Sequence, residues 1–157
     1  MRYQYTSAGF KTNFLNPLNV TNGVKILILI NVVIFFLIEI SGQRNLFFMN
    51  FGLVSHSITN EFKIWQLITY MFIHGGVLHI LFNMLILWIF GKDLEIAWGT
   101  NKFFVFYFLC GFGSGLITFL FNMQSFIPVV GASGAIYGLL VAYAFSYPNR
   151  IIYLYGI

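Results

Sequence analysis

The sequence predicts an all-α, polytopic membrane helix bundle. Three observations predict it. Of 157 residues, 59% are apolar and only 8% are charged, where a soluble domain carries about 25% charge. The apolar residues fall into long uncharged runs of near-helical span length. Small residues recur four apart inside two of those runs, as membrane helix interfaces require. This composition excludes a soluble cytoplasmic enzyme, a disordered linker and a nucleic-acid module. The length fits one domain.

Residues 1–23 are polar and turn-rich (Asn13, Asn16, Pro17, Asn19, Asn22, Gly23). They read as a cytoplasmic tail without a cleavable signal, ahead of a membrane domain over 24–157. The first span is Val24 to Ile40, with Asn31 inside it. Ser41 to Gly76 is too long for a turn and too apolar for a solvated loop. It reads as an outer loop, partly embedded, with short interfacial helices. Trp65 and Tyr70 fit an interfacial aromatic belt. The second span runs from Val77 to Phe90, fourteen residues and therefore short. The third is Phe103 to Phe121, nineteen residues, with Gly111 and Gly115 as a G-x-x-x-G pair. The fourth is Val129 to Phe145, seventeen residues, with a second pair at Gly134 and Gly138. Ile151 to Ile157 reads as the start of a fifth span.

Lys and Arg set orientation. Arg2, Lys11, Lys25, Lys92, Lys102 and Arg150 fall on one side of these spans, Arg44 and Lys63 on the other. The six-to-two bias predicts a cytoplasmic N-terminus. The lone Cys110 reads as a small packed residue, since it cannot form a disulfide framework or a Cys-based zinc site.

Polar side chains at membrane depth are few and costly. Ser114 and Thr118 can bond back to their own helix carbonyls. His79 and Asn83 stand four apart and share one helix face, and His74 lies just upstream, before Gly75 and Gly76. That cluster admits three readings: polar packing, a catalytic or ligand-binding site, or a metal. Ser133 sits uncrowded in V-V-G-A-S-G-A-I-Y-G, near the outer end of its span. His79 and Asn83 enter from that same side. A hydroxyl nucleophile with nearby N–H donors is the equipment of acyl transfer.

These residues resemble the rhomboid family of intramembrane serine proteases, over roughly Glu61 to Arg150. The family's H-x-x-x-x-H-x-x-x-N stands at His74, His79 and Asn83. Its G-x-S-G stands at Gly131, Ser133 and Gly134, followed by a tyrosine at Tyr137. Its cytoplasmic turn G-x-x-x-E-x-x-x-G stands at Gly91, Glu95 and Gly99. The resemblance implies a six-helix bundle with a Ser–His dyad. Ser133 would be the nucleophile, with His79, Asn83 and the Ser133 N–H as oxyanion donors and His74 in support. It implies cleavage of single-pass membrane proteins near weak points in their helices, within a lipid bilayer, and no metal or other cofactor. The expected location is a bacterial inner membrane.

Two positions depart from the pattern. The family's loop Trp-Arg pair is Trp65 and Gln66 here, which removes a fork of donors. The family's general base is a histidine downstream of the serine, whereas His56, His74 and His79 all precede Ser133. The chain therefore reads as a C-terminally incomplete rhomboid protease. As written, it is expected not to hydrolyse peptides. The alternative is a non-proteolytic rhomboid-like protein that binds membrane helices.

Overall fold

The structure is a computed structural model and describes residues 20–150. The tail reading over residues 1–19 and the fifth-span reading of Ile151–Ile157 lie outside the described residues. Seven helices follow in order: α1 (Asn22–Ser41), α2 (Arg44–Phe51), α3 (Ser55–Glu61), α4 (Gln66–Thr69), α5 (Val77–Trp98), α6 (Thr100–Phe121) and α7 (Ser133–Ser146). A 3₁₀ turn, Tyr70–Phe72, continues α4. The protein is an all-α membrane helix bundle. Helices α1, α5 and α6 are each long and apolar enough to cross a membrane.

The second span is longer than its apolar run. Helix α5 has 22 residues, or about 33 Å at 1.5 Å per residue. Its ladder widens into a π segment at Leu87–Gly91 and then continues through Lys92–Trp98. The charged residues there do not end the helix, because the fold gives its two acids partners. Asp93 pairs with Arg150 at 2.8 Å. Glu95, 3% exposed, accepts the Gly23 and Val24 N–H groups at 2.8 and 2.9 Å. It also accepts the hydroxyls of Thr21 and Thr100. The stretch read as a turn from Gly91 to Gly99 is thus helical until Trp98, and the chain reverses at Gly99, where φ is +82°.

The fourth span is shorter than its apolar run. Helix α7 has fourteen residues, about 21 Å, against a hydrocarbon core of about 30 Å. Val129 to Ala132 is not helical. Val129 forms an isolated antiparallel bridge with Leu53, both bonds 2.9 Å. Gly131 then takes φ +117°, a backbone state closed to most L-residues.

The segment between α1 and α5, expected to be an outer loop, is built of short helices. Tyr70 differs from its reading. It is 3% exposed, and its hydroxyl donates to the Gly111 carbonyl at 2.7 Å. The Gly111/Gly115 pair on α6 therefore seats no second long helix. A β-carbon at Gly111 would strike Met71, and one at Gly115 would lie 2.9 Å from the Tyr70 ring. The second pair does join helices. Gly134 faces Ser114 and Gly138 faces Cys110, along the α6–α7 seam. Cys110 is packed there, as read. Asn31 is buried and bonds to its own helix at the Leu27 carbonyl, 2.8 Å.

Candidate active site

The His–Asn face comes from the start of α5. Gly75 and Gly76 lead the chain into it, and the Gly75 N–H donates to His79 Nδ1 at 3.2 Å. A neutral imidazole accepting at Nδ1 carries its proton on Nε2. That Nε2 points at the serine segment. A β-carbon at Gly131 would lie 2.5 Å from His79 Nε2 and 3.7 Å from Asn83 Nδ2. Asn83 is 6% exposed, and its Nδ2 is buried without a hydrogen-bond partner. Two N–H donors therefore converge on the backbone two residues before Ser133.

Ser133 is the first residue of α7. Ala132 precedes it as the N-cap with no side-chain cap bond. The first bond of that helix is from the Ile136 N–H to the Ala132 carbonyl, 3.0 Å. The N–H groups before it belong to the unsatisfied first turn, which carries partial positive charge. Ser133 itself is half-buried. The arrangement offers a hydroxyl, a helix N-terminus and two side-chain donors around one short stretch of backbone. Chemically it can bind an oxyanion.

The other named residues fall around this centre. The His74 ring meets His79 edge-on, centroids 5.1 Å apart. His74 is 1% exposed and neither ring nitrogen has a partner. It precedes the first residue of α5, and burial, with His79 beside it, lowers its pKa to about 4. Gly134 lies over Ser114 and within reach of the Tyr70 hydroxyl, and its missing side chain makes that approach. Tyr137, one turn after Ser133, is 69% exposed. Trp65 is not part of the cluster: its indole N–H donates to the Asn50 carbonyl at 2.8 Å, inside the outer loop. His56 is apart as well, stacked on Phe126 at 4.0 Å.

Sequence reasoning missed two contributors. Tyr70 accepts the Gly131 N–H on its carbonyl at 2.9 Å and so fixes the serine segment from below. Gln66, read as a lost anchor, is fully buried with two hydrogen bonds. No sequence signal marked Tyr70, since paired glycines on α6 equally fit a closely packed helix.

A family model described as Rhomboid domain matches residues 61–157. Rhomboid protease GluP of Bacillus subtilis (strain 168) is 33% identical over 130 residues. That alignment takes in 81% of this chain and 25% of the relative. RHOMBOID-like protein 1 of Arabidopsis thaliana is 40% identical over 85 residues, 54% of the chain and 21% of the relative. The putative rhomboid protease YdcA of Bacillus subtilis (strain 168) is 34% identical over 90 residues, 56% of the chain and 45% of the relative. The chain thus spans about a fifth to under half the length of these relatives, three matches that share one name with the domain found over most of the described bundle. The chain belongs to the rhomboid family.

Proposed function

We propose that the protein acts as an intramembrane serine endopeptidase on single-pass membrane proteins, with Ser133 as nucleophile. One observation carries this: His79 Nε2 and the unpartnered Asn83 Nδ2 converge on Gly131, two residues before Ser133. Ser133 Oγ attacks the substrate carbonyl. The tetrahedral oxyanion accepts from His79 Nε2–H, Asn83 Nδ2–H and the Ser133 N–H. His79 is thereby a donor, because the Gly75 N–H occupies its other nitrogen. It does not serve as base.

The hydroxyl still needs a base to take its proton. No histidine follows Ser133 within the 157 residues. We place the base outside them, so these residues alone leave peptides intact. Loss of a triad member costs about 10⁴-fold or more. The working setting is a multi-pass protein of a bacterial inner membrane, N-terminus in the cytoplasm, with residues 24–157 as its membrane domain.

Liposomes holding a single-pass reporter test this. The 157-residue chain is expected to leave the reporter whole. The chain fused after Ile157 to an apolar helix carrying a histidine is expected to cut it, and Ser133→Ala in that fusion to stop the cut. Cutting that survives Ser133→Ala sinks the assignment. A fusion that retains the reporter but never cuts it favours helix binding without hydrolysis.

A further inference from the structure

We infer that Gln66 is a positioning residue that couples the end of α2 to the extended segment leading into Ser133. This rests on Ser133 being the reacting residue.

The last four carbonyls of a helix have no partner within it. In α2 all four are satisfied, three of them by α4 and the residue just before it. The Phe48 carbonyl accepts the Gly52 N–H at 3.0 Å. The Met49 carbonyl accepts Gln66 Nε2–H at 2.9 Å. Those of Asn50 and Phe51 accept the Trp65 indole N–H and the Thr69 hydroxyl, at 2.8 and 2.7 Å. Gln66 does one thing more. Its Oε1 accepts the Val54 N–H at 3.0 Å.

That second bond reaches the serine. Val54 follows Leu53, and Leu53 exchanges both backbone bonds with Val129. Val129 lies two residues before Gly131, whose N–H is held by the Tyr70 carbonyl, four residues on from Gln66. Tyr70 thus holds the 129–131 segment directly, and Gln66 holds it through Val54 and Leu53. Arginine, the family's residue here, presents donors only. It could reach the Met49 carbonyl, but it could not accept the Val54 N–H. The amide does both, and Gln66 has no exposed surface.

Amide hydrogen exchange on the reconstituted chain tests the coupling. Gln66→Arg and the volume-matched Gln66→Met are expected to speed exchange at Leu53, Val54 and Val129–Gly131 about tenfold, the scale of one lost hydrogen bond. Gln66→Glu, protonated when buried, keeps an acceptor and a donor and is expected to restore protection. Thr69→Val removes only the Phe51 cap and is expected to leave 129–131 unchanged. The inference is overturned if 129–131 exchange stays at wild-type rates in both Gln66→Arg and Gln66→Met. It is equally overturned if α6 and α7 loosen as much as 129–131, because Gln66 would then be a general stabiliser. The reading of Ser133 stands apart, since exchange is read without reaction and Ser133→Ala leaves it unchanged.

Discussion

At Gly131 a methyl group has nowhere to go. The backbone there holds φ +117°, and a β-carbon would sit 2.5 Å from His79 Nε2. Gly131→Ala therefore costs backbone strain and displaces the imidazole, together about 1–3 kcal/mol. Thermal unfolding in detergent is expected to show that loss, and His79 to leave its Gly75 contact. His74 gives a second prediction at this scale. Its folded pKa, about 4, lies below the ordinary 6.5. The neutral ring is favoured on folding, so stability is full above about pH 6.5 and falls as the pH drops toward 4. Melting points at pH 7.5 and pH 5 are expected to differ less in His74→Phe than in the wild type. The His79/Asn83 face was legible because spacing alone puts i and i+4 together. Tyr70 was not, because its partner Gly111 lies 41 residues away and an aromatic residue near a loop also fits a membrane belt.

The helices carry the same contrast. Existence and type of each long apolar run could be read, but the ends could not. Helix α5 outruns its apolar stretch because Asp93 and Glu95 have partners that only the fold supplies. Helix α7 falls short of its stretch because Leu53 claims Val129 in a bridge. The Gly134–Ser114 contact makes a test between elements. Gly134→Ala is expected to cost about 1–3 kcal/mol by overpacking. Ser114→Gly in the same chain is expected to recover most of it, since the contacts closer than 3.0 Å are all with Ser114, and the Tyr70 hydroxyl lies farther off at 3.2 Å. The Glu95 cap gives another. Glu95→Gln replaces one acceptor oxygen by an N–H group, which then faces one hydroxyl and one backbone N–H donor. About 1–3 kcal/mol of stability goes with it, and exchange at Gly23 and Val24 is expected to rise before that of α6.

Over the whole molecule, the polar ties divide between two ends. Glu95 and Asp93 join the start of α1, the end of α5, the start of α6, and the end of α7 with the residues after it. The Gln66 and Tyr70 ties gather the loop between α1 and α5 and the 129–131 segment ahead of Ser133 at the opposite end. The charges follow the division. Lys25, Lys92, Lys102 and Arg150 belong to the first end, Arg44 and Lys63 to the second. Basic residues favour the cytoplasmic side, so Ser133 should open to the outside. Single cysteines in a Cys110→Ala background decide this. Thr59→Cys, at an exposed position of α3, is expected to react with a membrane-impermeant maleimide on intact cells. Asn101→Cys, at the exposed start of α6, is expected to react only after lysis. The reverse pattern would turn the serine toward the cytoplasm. The proposed substrates would then have to present the weak points of their helices from inside, and the charge count would no longer describe how this chain sits in its membrane.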